Sequence, residues 1–303
     1  MKYSNKKASI KFSTKGDRLF YQIVNIIAGL VLIVILYPLI YIVSSSFSSP
    51  NAVLSGKVIF LPVEPSLEGY KAVLQYPAVL TGYVNSIVYM AIGTSINVSL
   101  TMMCAYGLSR NDMPFRNFFM FLFTFTMYFS GGLIPNYILM RDLNLINHFL
   151  AIILPGAISV YNMIIARTFI QNTIPKEMLE AAKMDGCSDI RYFFQMLLPL
   201  SKAILAVITL YYAVGHWNAW FDAFIYLNDR EKYPLQLVLR EILISNQVDN
   251  SLSLDADARK KMQGMVDLMK YSLIVISSLP IMCIYPFVQK YFTQGVMIGS
   301  LKG

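Results

Sequence analysis

Long apolar stretches separated by short polar segments dominate this sequence. Six stretches are long enough to cross about 30 Å of hydrocarbon at about 1.5 Å of rise per residue. They cover residues 22–44, 83–108, 117–138, 149–170, 203–225 and 270–291. The pattern therefore predicts an all-α, polytopic membrane protein with six transmembrane helices.

The composition agrees with a membrane location. Hydrophobic residues make up 56% of the chain and charged residues 14%, values that exclude an ordinary soluble enzyme. The first apolar stretch ends without a convincing cleavage pattern, so we treat it as a retained helix and not as a signal peptide. We expect one transmembrane domain over residues 22–303, preceded by a cytoplasmic tail over residues 1–21.

The basic residues predict the orientation in the membrane. The segment before the first apolar stretch holds six of them against a single Asp17, which places the amino terminus in the cytoplasm. These six are Lys2, Lys6, Lys7, Lys11, Lys15 and Arg18. Six crossings then return the carboxyl terminus to the cytoplasm. The net charge of +8 reflects this orientation and implies no nucleic-acid partner, because no basic patch with interleaved aromatic residues occurs.

Glycine and proline interrupt several apolar stretches, most densely at Gly131, Gly132 and Pro135 and again at Pro155 and Gly156. Such positions predict kinked or broken helices, which membrane proteins tolerate around a water-filled path or between packed neighbours. Both a path and ordinary kinking remain open. The sequence shows no cysteine or histidine spacing typical of a metal or disulfide site.

The polar segment 172–202 between the fourth and fifth stretches has its own local signals. Pro175 suits the first position of a helix of about ten residues, and Gly186 suits the left-handed conformation that ends one. A second helix is expected near Ser188, and Pro199 should break it ahead of the fifth span. The segment thus predicts two short cytoplasmic helices.

Within this segment Glu180-Ala181-Ala182, Gly186 and Leu198-Pro199 resemble the EAA loop of binding-protein-dependent ABC importer permeases. The resemblance implies a type I permease fold whose cytoplasmic coupling helix contacts a separate ATPase. It assigns that contact to Glu177, Glu180, Ala181, Ala182, Asp185, Gly186, Leu198 and Pro199.

The nucleotide chemistry is expected on the partner. The chain has no GxxxxGK[ST] motif, so it has no recognisable phosphate-binding loop of that kind. We therefore expect a transport subunit that is not an enzyme and has no catalytic residues, with ATP and Mg bound by the partner ATPase and no cofactor or metal bound by this chain.

Two further stretches, residues 128–135 and 213–222, resemble the carbohydrate (maltose-type) branch and its complex or acidic oligosaccharide permease subgroup. The resemblance implies an oligosaccharide importer in a bacterial cell membrane, with this chain as half of the pathway. The implied partners are a second homologous permease in a heterodimer, two ABC ATPase subunits and an extracytoplasmic solute-binding protein.

Polar and aromatic residues in the membrane stretches are candidates for sugar contact. An aromatic plane suits the C–H face of a sugar, and amide or carboxylate groups suit its hydroxyls. The candidates are Asn136, Asn162, Trp217, Asn218, Trp220 and Asp222. The alternative is aromatic anchoring at the membrane interface with satisfied packing polars.

Three rival functions are weaker. An ion-coupled secondary transporter would use broken helices and an intramembrane acid, and a permease for a non-sugar solute would share the same coupling loop. A membrane serine hydrolase built on Ser130 lacks any sign that its partners meet. The external segment 226–269 reads as a solvated loop, which either contacts nothing or touches the binding protein through Arg259, Lys260 and Lys261.

Overall fold

The computed structural model describes residues 15–248 and 256–300, and these residues form helices and no strand. In chain order the helices are α1 Lys15–Ser46, α2 Pro50–Leu54, α3 Glu68–Leu74, α4 Pro77–Ser109, α5 Arg116–Tyr128, α6 Leu133–Asp142, α7 Leu150–Ile153, α8 Val160–Thr173, α9 Lys176–Met184, α10 Asp189–Tyr192, α11 Leu198–Leu200, α12 Lys202–Asn218, α13 Phe221–Tyr226, α14 Leu235–Val248 and α15 Ala256–Ser300. A π-helical turn, Phe193–Leu197, joins α10 to α11. The all-α prediction is confirmed for the described part of the chain.

The contacts divide the chain into two compact units. The first contains residues 15–71 and 256–275, and the second contains residues 72–248 and 276–300. In the first unit α2 packs on the start of α15 through a small apolar cluster that includes Ala52, Val53 and Leu268. The second unit holds the segment that resembles a coupling loop and is described below.

The six predicted spans appear in two forms. Three helices are long and apolar enough to cross a membrane without a break: Gly16–Ser46, Pro77–Ser109 and Gln263–Pro286. Three further candidates are bent helix pairs, α5 with α6 at 115°, Leu150–Gly156 with α8 at 52°, and Asp189–Leu200 with α12 at 85°. The described residues thus hold up to six spans, if each bent pair counts as one.

The interruptions have local causes in two of these places. The break between α5 and α6 falls at Gly132, whose φ of +88° is a conformation that favours glycine. The break before α12 follows Pro199, as the sequence predicted. The fifth apolar stretch differs from its prediction, because α12 ends at Asn218 and α13 restarts at Phe221.

The second unit is built around α4, which packs against α8, α12 and α14. Near the end of α4 a cluster of buried apolar side chains includes Met102, Leu108, Met163 and Ile208. Close approach of α12 requires Gly93, because a Cβ built there would lie 2.6 Å from the Nε2 atom of His216. The core of this unit therefore follows α4 along its length.

The segment 226–269 is not the solvated loop that its charges predicted. Residues 235–248 form α14, and Leu235, Leu237 and Val238 on this helix are buried. Within α14 only Arg240 and Glu241 are charged, and the charged runs 229–232 and 255–261 that suggested a loop lie on either side of this helix. The predicted contact with a binding protein involves Arg259, Lys260 and Lys261, whose side chains lie outside the part of the chain that the structure describes.

Candidate functional site

The segment 172–202 folds as two short helices with defined ends. Pro175 is the residue immediately before α9, one position earlier than predicted. Beyond α9, Gly186 has a φ of +72°, and the amides of Gly186 and Cys187 donate to the carbonyls of Lys183 (3.0 Å) and Ala182 (2.9 Å). This is the Schellman pattern, which satisfies the last carbonyls of the helix. The predicted left-handed role of Gly186 is confirmed.

The second short helix begins where the sequence placed it. The Ser188 hydroxyl accepts the Arg191 amide at 3.3 Å and so caps α10. Of the apolar side chains in and after α10, Phe193 and Leu197 are buried, whereas Ile190 and Phe194 are 73% and 59% exposed. Only some of these apolar side chains therefore face inward.

The inner face of α9 packs into the apolar cluster at the end of α4. Ala182 is 4% exposed, and the half-buried Met178 and Leu179 lie beside it against the same cluster. The sequence had assigned Ala182 to the ATPase contact. Its side chain instead packs within this chain, where a larger residue would push α9 off the cluster.

The outer face of α9 is exposed in the described part of the chain. Glu177, Glu180 and Ala181 are exposed, and Met184 is 89% exposed. These positions follow the spacing of one helical face. The amphipathic helix thus has one side anchored by its own chain and one side available to a partner.

The other predicted coupling residues surround this helix. Asp185 and Gly186 are exposed at its tip, and Pro199 is exposed near the start of α12. Leu198 is half-buried against the apolar cluster that holds α9. The exposed tip residues and the partly buried Leu198 therefore occupy different parts of the segment.

A group of ion pairs, which we call the clasp, ties the end of α4 to this segment. It consists of Arg110, Asp112, Lys183 and Asp189. The Arg110 guanidinium is paired with both Asp112 (2.5 Å) and Asp189, and Lys183 Nζ lies 3.0 Å from Asp112 Oδ2. Hydrogen bonds from Arg110 and Lys183 lower the pKa of Asp112 well below its usual range. The clasp therefore connects α4 with both α9 and α10.

Helix α8, which leads into α9, is fixed to the same end of α4. Arg167 Nε donates to the Leu108 carbonyl at 2.9 Å, and Gln171 Nε2 donates to the Ser109 carbonyl at 3.2 Å. These donors satisfy carbonyls at the helix end that have no partner within the helix. A cavity of about 570 Å³ lies between the end of α4, α8 and α9. We call this region, residues 106–116 with 167–189, the loop end.

A polar seam crosses the middle of the contact between α4 and α12. Asn97 Nδ2 lies 3.0 Å from His216 Nε2, and the hydroxyls of Thr101 and Tyr212 are 2.6 Å apart. The Oδ1 atom of Asn97 and the Oγ1 atom of Thr94 are buried without a hydrogen-bond partner in the described chain. Buried polar groups in a membrane helix mark a path or a packed polar contact.

The sequence analysis missed this seam, although a signal was present. Gly93, Asn97 and Thr101 recur every four residues on α4, which places them on one helical face within an otherwise apolar stretch. The α12 partners of Asn97 and Thr101 lie 119 and 111 positions later in the chain. No local pattern pairs such residues.

The first sugar-contact candidate, Trp217, is a structural residue in this conformation. It is 1% exposed, and its indole N–H donates to the Ser277 carbonyl at 2.9 Å. The Tyr83 ring meets it edge to face at 5.5 Å. The indole is thereby hidden from any solute.

The neighbouring candidates lie where α12 gives way to α13. Asn218 is exposed and donates its amide to the Val214 carbonyl of the same helix at 2.9 Å. Trp220 is half-buried against an apolar cluster, and Asp222 is half-buried on α13. The helix break thus exposes polar groups beside an aromatic platform.

Asn136 and Asn162 do not join this group by any hydrogen bond in the described residues. Asn136 is exposed on α6, and Asn162 is 5% exposed in the first turn of α8. In the described residues no hydrogen bond or ring contact joins any of the six predicted residues to another.

At the opposite end of α4 neutral hydrogen bonds take the place of the clasp. Asn85 Nδ2 donates to the carbonyls of Glu231 (2.7 Å) and Tyr233 (3.1 Å), and the Tyr89 hydroxyl donates to the Lys232 carbonyl (2.9 Å). We call this region, residues 77–89 with 218–240, the far end. Arg240 lies there with its guanidinium carbon 4.4 Å from the centre of the Trp220 ring and 4.8 Å from that of Phe224.

Comparison with known proteins supplies a family context. A model of the family described as "Binding-protein-dependent transport system inner membrane component" matches residues 97–298. The chain is 37% identical over 288 residues to the polygalacturonan/rhamnogalacturonan transport system permease protein YtcP of Bacillus subtilis, covering 95% of this chain and 99% of that protein. It is 38% identical over 292 residues to protein LplC of the same organism, covering 96% and 97%.

A solved structure is similar over nearly the whole chain. It is the crystal structure of a bacterial ABC transporter involved in the import of the acidic polysaccharide alginate, with a TM-score of 0.84 and 34% identity. The match covers 93% of this chain and 99% of the matched chain. The family match and this likeness agree with the permease fold expected from the sequence.

Proposed function

Since this chain belongs to the family of binding-protein-dependent transport system inner membrane components, we propose that it is the permease subunit of an ATP-driven oligosaccharide importer. It forms half of the translocation pathway beside a second homologous permease, in a heterodimer. The substrate proposal is supported by the relatives, whose names specify polygalacturonan, rhamnogalacturonan and arabinooligosaccharides. The alternative is a non-sugar solute carried by the same machinery.

The observation that carries the proposal is the two-faced helix α9. Its inner face is buried against the end of α4, while Glu177, Glu180 and Met184 point outward. An exposed apolar residue beside acidic ones suits a docking surface for a partner protein. We assign this surface, with the tip residues Asp185 and Gly186, to contact with a separate ATPase.

The clasp gives this contact a route into the membrane helices. A displacement of α9 reaches α4 through the pair of Lys183 with Asp112, and it reaches the same helix end through α8 and its donors Arg167 and Gln171. Elements joined at several points move as a rigid body. In this proposal α4 then shifts against α12 along the polar seam.

The loop end faces the cytoplasm in this proposal, and both chain termini lie on that side. Arg110, Arg116 and Lys183 lie at this end of α4, as the preference of basic residues for cytoplasmic loops requires. Two ATPase subunits bind ATP and Mg there. An extracytoplasmic solute-binding protein delivers the sugar at the far end.

The substrate path, in this proposal, runs along the exposed part of the α12–α13 junction. Asn218 and Asp222 supply polar groups and Trp220 an aromatic ring, whereas Trp217 supports the helices from within. Asn97 and Thr94 add polar atoms deeper in the membrane. Asn136 and Asn162 remain weaker candidates, because nothing in the described residues connects them with this junction.

The decisive experiment uses the importer reconstituted in liposomes with its sister permease, ATPases and binding protein. We expect uptake of oligosaccharide that requires ATP and the binding protein. Uptake that persists without the ATPase and follows an ion gradient would instead establish a secondary transporter.

The coupling role of the α9 tip is tested by two substitutions at Gly186. A Cβ there meets no atom within 4 Å, so only the backbone conformation limits the residue. Gly186→Val should uncouple ATP hydrolysis from transport, because β-branched residues rarely adopt a left-handed conformation, whereas Gly186→Asn should retain coupling. Glu180→Lys on the outer face should weaken ATPase binding. Equal coupling in all three variants and the unmodified chain would contradict the assignment.

A further inference from the structure

Arg240 is held in an unusual setting at the far end. Its guanidinium lies over two aromatic rings, that of Trp220 at the break between α12 and α13 and that of Phe224 on α13. The side chain is half-buried, and Trp220 itself packs against an apolar cluster that includes Ala223 and Leu237. The rings therefore fix the plane of the guanidinium on a rigid platform.

The hydrogen-bonding capacity of Arg240 is unused within the described residues. A guanidinium carries five N–H donors, yet Arg240 makes no hydrogen bond or ion pair in this part of the chain. By contrast, the guanidinium of Arg110 is paired with a carboxylate, and that of Arg167 donates to a carbonyl. The side chain of the neighbouring Arg230 lies 3.9 Å from the Glu241 carboxylate. Arg240 thus presents a fixed, unneutralised fork of donors.

Such a fork matches one ligand chemistry above others. A carboxylate accepts two parallel hydrogen bonds from a guanidinium, and stacking on aromatic rings leaves the donor edge free for that contact. The platform lies beside Asn218 and Asp222, which we placed on the sugar path. No ion pair in the described residues joins Asp222 to Arg240, so the positive charge is not cancelled from within.

We propose that Arg240, held on Trp220 and Phe224, binds the carboxylate of a uronate residue in the incoming oligosaccharide. The carried substrate is then an acidic oligosaccharide, which two of the similar proteins agree with by name, since one concerns alginate and the other polygalacturonan. This inference rests on the proposed function and adds the substrate class. It assigns Arg240 the selection of acid over neutral sugars.

The test compares two saccharides that differ only in charge: a galacturonate trimer and the same trimer with its carboxyl groups reduced to alcohols. Uptake of each is measured in the reconstituted importer, and the acid-to-neutral ratio of a variant is divided by that of the unmodified importer. Because the binding protein is the same in both, its own preference cancels. Arg240→Gln should lower this ratio at least about tenfold, as expected for loss of a charge-assisted bidentate contact.

Two further variants distinguish the effect of the planar guanidinium from that of a positive charge alone. Arg240→Lys keeps the charge and loses the planar fork, so its ratio should lie between those of the unmodified chain and Arg240→Gln. Arg230→Gln removes a charge from an exposed arginine, 81% exposed at its side chain, in the same region. Its ratio should stay within about twofold of the unmodified value.

Several outcomes would overturn the inference. An unchanged ratio in Arg240→Gln, or equal loss for both trimers, makes Arg240 a packing residue or a contact for a protein partner. Uptake of the neutral trimer alone by the unmodified importer rejects the uronate assignment but keeps the importer. Calorimetry gives a readout independent of transport, by measuring how the acidic trimer binds to the detergent-solubilised permeases and ATPases without ATP and without the binding protein. Equal affinity in Arg240→Gln would also refute the site.

Discussion

The two ends of α4 are fastened by different chemistry. At the loop end Arg110, Asp112 and Lys183 form exposed and half-buried ion pairs with α9 and α10. At the far end Asn85 and Tyr89 donate to backbone carbonyls of the segment after α13. Ion pairs respond to salt and to the charges around them, while a neutral bond to a fixed carbonyl responds little to charge. The end to which our proposal assigns the ATPase contact is thus the one whose contacts respond more strongly to charge.

The largest expected effect comes from breaking the helix contact that both ends share. In Gly93→Val the new Cβ would lie 2.6 Å from the His216 ring, so either the ring must move and disturb its contact with Asn97, or α4 and α12 must separate. We expect the free energy of unfolding to fall by about 3 kcal/mol, in the upper part of the range for overpacked cores. Thermal unfolding of the solubilised complex measures it. Gly215→Val on α12 is the control, since a Cβ there meets nothing within 4 Å, and equal stability of the two variants would contradict the contact.

A smaller effect is expected from opening the clasp. The Arg110 side chain is 14% exposed and holds two carboxylates, so Arg110→Gln should cost about 2 kcal/mol, the scale of hydrogen bonds to charged groups. ATP hydrolysed per sugar transported should rise, because α9 is less firmly tied to α4. Arg141→Gln is the control, because among the described residues the exposed Arg141 pairs only with the adjacent Asp142. An unchanged transport ratio in Arg110→Gln would show that the clasp does not transmit motion.

A change at the far end should lower the stability of the protein without uncoupling ATP hydrolysis from transport. Asn85→Ala removes the donor to Glu231 and Tyr233, which we expect to cost about 1 kcal/mol. ATP hydrolysed per sugar should stay at the unmodified value. Ser95→Ala controls for the loss of a polar side chain on the same helix, because in the described residues the Ser95 hydroxyl bonds only to the Ala91 carbonyl of its own helix. Uncoupling by Asn85→Ala would erase the distinction between the two ends.

The smallest effect concerns the exposed pair of Asp112 with Lys183. Lys183→Gln should lower the free energy of unfolding by less than about 1 kcal/mol, because the lost pair is exposed and Asp112 keeps its pair with Arg110. Because the folded-state pKa of Asp112 is lowered, its contribution is present above the usual aspartate range and is lost as the pH falls below about 3.9. The stability difference between the unmodified chain and Asp112→Asn should therefore shrink on acidification. A constant difference from pH 7 to about 3 would argue against the pair.

Parts of the segment 172–202 could be predicted because their signals are local. Gly186 ends a helix in a conformation that few other residues adopt, and Ser188 caps the next helix with its own hydroxyl. Each signal acts within a few residues, so the sequence contains both partners of the interaction.

Residues at the candidate path were predicted less well for the opposite reason. Trp217 and Trp220 are nearly adjacent and look equivalent in sequence, yet the first is 1% exposed against Ser277 and the second supports Arg240. Which side of a helix faces a neighbour depends on helices far along the chain. Arg240 itself went unnoticed because it lay in a segment interpreted as a solvated loop.

The sequence by itself determined the apolar spans, the all-α class and the ends of α9, since hydrophobic length, proline and glycine act locally. Tertiary structure alone decided that Ala182 faces inward, that Asp112 meets Lys183 across 71 positions, and that Arg240 rests on two rings. Those outcomes depend on which helix faces pack together, and packing is a property of the whole second unit that no short stretch encodes.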